Sequence, residues 1–148
     1  MITELYDRLT EAILKVGGGG VIKHVDLWNQ NVAFIDEDAP WPRPAVFIEF
    51  GAIGWDMYKG PANGMKGKGE LLLHVVTDWK GSAAAGSLDR EETLMDYDLL
   101  NMIFRQVNGL HGETFRNISL LRTEINHNHE DILENIDVYQ VTYERRLG

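Results

Sequence analysis

The stretch from Gly69 to Gly109 limits most what this chain can fold into. It opens with an apolar run from Glu70 to Trp79, short and β-branched toward its end, which suits a strand better than a helix. A breaker-rich link from Lys80 to Ser87 follows. Leu88 to Val107 then carries apolar residues at 88, 95, 99, 102, 103 and 107, the spacing of one helical face. A strand, a link of small residues and a long amphipathic helix predict a sheet with a helix laid across it.

The segments before it supply the first helix and the front strands. Ile2, Leu5, Leu9, Ala12, Ile13 and Val16 recur at steps of three and four, predicting a helix over 2–16. Thr3 or an adjacent polar residue would cap it, and Glu4 suits the positive end of its dipole. Gly17 to Gly20 ends it with more glycine than a cap requires, so this link reads also as a hinge or a close-approach surface. Val21 to Trp28 and Asn31 to Ile35 read as two short strands of a hairpin around Asn29 to Asn31, followed by an acidic turn at Asp36 to Asp38. The prolines between Pro40 and Pro44 hold the backbone extended into a strand over Ala45 to Phe50, with Val46, Ile48 and Phe50 on one face.

Gly51 to Gly69 holds six glycines, Pro61 and the lysines Lys59, Lys66 and Lys68. It reads as a long mobile loop between two antiparallel strands, of a length usually kept for function. After the second helix, Asn108 to Leu110 is a stop signal, and Ile118 to Asn126 and Ile136 to Leu147 read as closing strands. In the last, Tyr139, Val141 and Tyr143 alternate with Val138, Gln140 and Thr142, which predicts one wetter face. The fold class expected is α+β: a single domain over 1–148, with a mostly antiparallel curved sheet and two amphipathic helices packed on one face.

Composition narrows the function. At 148 residues the chain can bury about two-thirds of its unfolded surface, and an apolar share of 44% is that of a globular protein. It has no cysteine, which removes disulfides, thiolate metal sites and cysteine nucleophiles and fits a reducing compartment. A net charge of −9 repels phosphate backbones and disfavours tight nucleic-acid binding. The N-terminus carries acids where a signal peptide needs bases, and no apolar stretch approaches the ~20 residues of a membrane span. A soluble product made in the cytoplasm is expected.

The sharpest candidate for chemistry is His127, Asn128, His129, Glu130 and Asp131. On extended backbone the two histidines would point the same way, and Glu130 or Asp131 would complete two-histidine, one-carboxylate ligation. A solvated hairpin tip accounts for the same letters more simply, because turns collect polar residues. His74 lies opposite the face of Leu71, Leu73 and Val75, with no partner acid identifiable, and reads as a hydrogen-bonded or half-exposed histidine. His24 and His111 offer less. Ser82 lacks the spacing of a nucleophile elbow, and Gly64 to Gly69 matches no phosphate-loop pattern and precedes a strand. The loop lysines would instead meet an acidic protein surface, which makes Lys59, Lys66, Lys68, Gly64 and Gly67 the candidate interface. Nothing assembles nucleophile, base and orienter. Neither an enzyme nor a bound metal or cofactor is expected.

The order of elements carries a resemblance. It rests on Pro42-Arg43-Pro44 before the strand to Phe50, the glycine-rich loop, the helix from Asp89 to Val107 with Asn108-Gly109-Leu110, and the final strand from Asp137 to Arg146. In this order and texture nearly the whole chain resembles the tail terminator proteins of long-tailed bacteriophages, which complete the tail and join it to the head. The resemblance implies a structural virion protein of the tail or neck, assembled in the bacterial cytoplasm as a homo-hexameric ring. It implies two protein partners, the tail tube protein and a head–tail connector or stopper, with DNA passing through the lumen without specific binding and no membrane involved. A metal-dependent hydrolase built on His127 and His129, or another neck or baseplate structural protein, is the alternative.

Overall fold

The computed structural model describes residues 1–29, 41–57, 64–78, 83–88, 90–126 and 132–146. Two helices and five strands are assigned among them: α1 (Ile2–Leu14), β1 (His24–Leu27), β2 (Ala45–Met57), β3 (Met65–Asp78), α2 (Arg90–Val107), β4 (Phe115–Asn126) and β5 (Ile132–Arg145). The strands form one open sheet in the order β1-β2-β3-β5-β4. Only β1 and β2 are parallel; every other neighbour is antiparallel. The α+β architecture with a mostly antiparallel sheet is therefore present.

Strand alternation decides which face the helices cover. Val46 and Ile48 of β2, Leu71, Leu73 and Val75 of β3, and Tyr139, Val141 and Tyr143 of β5 share a single buried cluster. Leu5, Leu9 and Ile13 of α1 and Leu99, Ile103 and Val107 of α2 complete it, so both helices lie on that one face. The helical face expected for α2 holds at Leu99, Ile103 and Val107, but its first members do not contribute, because Leu88 and Met95 are exposed.

α1 is shorter than its periodicity predicts, ending at Leu14 and passing into a 3-10 turn over Val16–Gly18. Gly17 to Gly20 all have positive φ, a backbone that any other residue adopts at a cost. Gly17 is also a close-approach site: a Cβ there would lie 2.6 Å from Val21 Cγ2. No side chain caps the start of α1. Glu4 instead crosses the molecule, accepting bonds from the Thr114 hydroxyl (2.7 Å), the Thr114 amide (2.9 Å) and the Glu113 amide (3.1 Å). The Thr114 bonds, hydroxyl first, hold its carboxyl below the ordinary range.

Three further expectations change. The first strand is only His24–Leu27, and its partner is β2, in parallel; its expected hairpin mate at 31–35 lies outside the described residues. The closing strands start earlier, at Phe115 and Ile132. The wetter face of β5 is only partly so: Gln140 is exposed, whereas Val138 and Thr142 are buried.

The largest correction concerns Gly51 to Gly69. β2 runs on to Met57 and β3 begins at Met65, pairing from Met57↔Met65 back to Ile53↔Gly69. Most of the expected mobile loop is thus a two-stranded extension of the sheet. Its glycines act by lacking a side chain. A Cβ at Gly67 would lie 2.6 Å from the Trp55 ring and 2.9 Å from Ile53 Cγ2, and one at Gly69 2.8 Å from Ile53 Cγ1. Trp55 and Ile53 fold over the neighbouring strand and join the edge of the main core.

Candidate functional site

The sequence-derived interface separates on this extension. Lys66 and Lys68 are exposed and, two residues apart on β3, share the face away from the helices. Gly67 lies on the other face, buried against Trp55. Gly64 is buried at φ +100°, where a Cβ would collide with the Arg145 carbonyl. Lys59 lies outside the described residues, as do His127, His129, Glu130 and Asp131. Among the described residues no three His, Asp or Glu side chains are grouped to hold a metal.

Lys66 stands in register with Asp56 on one side and Glu144 on the other. Glu144, though buried, is reached by Arg116 and by Arg146 at 2.8 Å. Farther along, Arg122 Nη1 meets Glu70 Oε1 at 3.0 Å. This half of the uncovered face is a ladder of alternating charges.

The other half is built differently, around His74. Its direct cross-strand neighbours are Phe47 and Ile136, and two carboxylates reach it diagonally. Glu49 Oε1, from β2, lies 2.7 Å from His74 Nε2; Glu134 Oε2, from β5, lies 2.8 Å from Nδ1. The Asn126 amide, from β4, donates to the other Glu134 oxygen at 2.7 Å. Trp28, just past β1, stacks flat on the imidazole, with centroids 3.8 Å apart and planes 3° from parallel. Phe47 meets both Trp28 and Trp41 edge-on, and His24 stacks on Trp41 at 6.3 Å. Trp41, Ala45, Phe47, Val76 and Ile132 make a second buried cluster beneath this group. The Arg43–Asp78 ion pair closes its end.

The partner acids of His74 thus exist, contrary to what sequence alone suggested. They stand 25 residues before it and 60 after it. One signal pointed to the first of them: Glu49 is an acid set inside the otherwise apolar run Ala45 to Phe50, much as His74 is set inside its own.

Hydrogen-bond chemistry restricts what the trio can be. Each nitrogen-to-carboxylate contact needs one proton, so two protons occupy the two contacts. Imidazolium between two carboxylates satisfies this, and so does neutral imidazole with one carboxylic acid; the trio carries a charge of −1 either way. Because both ring nitrogens are taken, the histidine has none left for a hydroxyl nucleophile, a substrate or a metal.

On the covered face, the buried Asp137 accepts a hydrogen bond from the Thr123 hydroxyl at 2.6 Å. Burial raises its pKa, and the Thr123 bond only partly offsets this. Burial also pushes the Tyr143 phenol up to about 12.

No family model matches the chain, and no curated protein matches its sequence.

Proposed function

We propose that this protein is a structural subunit of a bacteriophage tail or neck, capping the tail tube as a homo-hexameric ring and joining it to the head connector. The observation that supports it most is β4, an edge strand of twelve residues whose only strand partner among the described residues is β5. It exposes Leu120 (40%), Leu121 (48%) and Ile125 (51%). A long edge strand with exposed apolar side chains is a surface that folded proteins normally cover, and a neighbouring protein chain is one cover. A ring needs such a surface on each subunit, meeting a different one on the next. The occupied nitrogens of His74 favour a structural role over acid–base catalysis. A net charge of −9 suits a lumen through which DNA passes without adhering. The tail tube protein and a connector or stopper protein are the partners, and the virion is the location.

The test is to add the protein to assembling tail tube subunits and measure tube length by electron microscopy. Tubes of limited length with a six-fold terminal density are expected. Unlimited tubes with bare ends, at excess of this protein, would remove the terminator assignment.

A further inference from the structure

We propose that Glu49, His74 and Glu134 form a proton-binding site whose imidazolium state fastens Trp28, and with it the short strand β1, to the sheet. The inference does not depend on the ring assignment.

β1 has four residues. Among the described residues its backbone pairing with β2 is extended by the Lys23 amide to the Pro44 carbonyl (2.8 Å) and the Trp28 amide to the Ile48 carbonyl (2.9 Å). The side chain of Trp28 then ties the end of β1 to β3 by lying on His74. An indole face attracts a cation, so the stack is strongest when the imidazole carries the second proton.

The two carboxylates are not equivalent. The Glu134 side chain is 4% exposed and also bonded to Asn126, whereas that of Glu49 is 38% exposed. Loss of one proton leaves a ring nitrogen facing a carboxylate with no hydrogen between them. Glu49, the one that water can solvate, then separates. Gain of a proton also opens the Glu49 contact, by setting an acid O–H against an imidazolium N–H, but it leaves the cation under Trp28. The fastening of Trp28 is therefore lost as pH rises and the ring gives up its second proton. Among the described residues, the titratable groups facing His74 are Glu49 from β2 and Glu134 from β5; β4 offers Asn126 and the end of β1 offers Trp28. The next charged groups on this face pair with one another, Arg43 with Asp78 and His24 with Asp26 at 3.9 Å.

The experiment is a pH titration of tryptophan fluorescence on the full chain, with folding checked by far-UV circular dichroism. A stacked imidazolium quenches indole emission, so the wild type should be quenched in mild acid and brighten as pH rises. Trp28→Phe and His74→Phe should each lose this response, and His24→Phe should keep it, which separates Trp28 from Trp41. Long-range nitrogen NMR of the wild type should find protons on both His74 nitrogens where quenching is greatest. A brightening unchanged in Trp28→Phe, or a His74 with a single N–H at the quenched pH, would overturn the proposal. If either phenylalanine variant fails to fold, the wild-type NMR result decides alone.

Discussion

The two halves of the uncovered sheet face use the same residue types to opposite effect. Around His74 two carboxylates, an imidazole and an amide are packed under indole and phenyl rings, and every bond is made between buried or half-buried groups. Around Lys66, Lys68 and Arg122 the charges, the buried Glu144 apart, stand in water at the far end of the same strands. A buried ion pair constrains its surroundings because neither partner can fall back on solvent. An exposed pair exchanges one set of water-screened contacts for another and contributes little. One half should therefore hold the sheet in register, and the other should be free to exchange its bonds with a partner.

Glu134→Ala should have the largest effect. It strips His74 Nδ1 and the Asn126 amide of their acceptor inside the protein, and breaking one side of a buried pair costs about 3–5 kcal/mol. Urea denaturation should report that loss as a lowered midpoint. Glu134→Gln, which keeps an oxygen for Asn126 and offers an N–H to the histidine, should lose clearly less. Equal losses in the two variants would mean that size, not hydrogen bonding, is what this position supplies.

Gly67→Ala comes next and tests the strand extension that carries the charged half. The added Cβ would lie 2.6 Å from the Trp55 ring and 2.9 Å from the Gly54 carbonyl, so ring or backbone must shift. Overpacking of this kind costs about 1–3 kcal/mol. Thermal unfolding should show a fall in Tm. A neutral result would mean that Trp55 swings out freely and that the extension is not held by packing.

Why the sequence disclosed one part of the molecule and not the other follows from the range of the interactions. The faces of α1 and α2 were legible because a helix writes its burial within a few residues, at Leu5, Leu9 and Ile13 or Leu99, Ile103 and Val107. Glycine is ambiguous in the same local reading. Gly67 and Gly69 look like loop residues until the strand opposite is known, and only then appear as room for Trp55 and Ile53. The acids that bond His74 were missed for the same reason. Its face was correctly placed by alternation, but its partners depend on the register of β2 and β5, which no short window contains. The candidate interface suffered from the same ambiguity: Lys66 and Lys68 are exposed, but both of its glycines, Gly64 and Gly67, are packing positions.

Asp137→Asn tests burial without a cation. Burial raises the Asp137 pKa, so its contribution to stability is present at pH below the ordinary carboxylate range and is lost as pH rises through the folded value. At neutral pH the wild type bears the cost of a buried charge. The asparagine variant keeps an oxygen for the Thr123 hydroxyl and should be more stable there by about 1 kcal/mol, with the advantage vanishing in acid. Denaturation series at several pH values would show this convergence; a variant less stable than wild type at neutral pH would mean that the carboxylate has a cationic partner when ionised.

Arg122→Ala should have the smallest effect, and it decides whether the charged half is as dispensable to the fold as the comparison holds. Its guanidinium meets Glu70 at 3.0 Å and Glu124 at 4.0 Å, and all three side chains are about half exposed. Exposed pairs of this kind contribute little, and salt screens them over a Debye length of about 8–10 Å. The loss on Arg122→Ala should therefore be the smallest of the four effects in dilute buffer and smaller still in molar salt, where Glu134→Ala keeps nearly its full cost because its pair is shielded from ions. A large, salt-insensitive loss at Arg122 would mean that the alkyl stem of this arginine, lying across the exposed outer half of β4, packs as part of the core. The two halves of the face would then differ in composition but not in what they do for the fold.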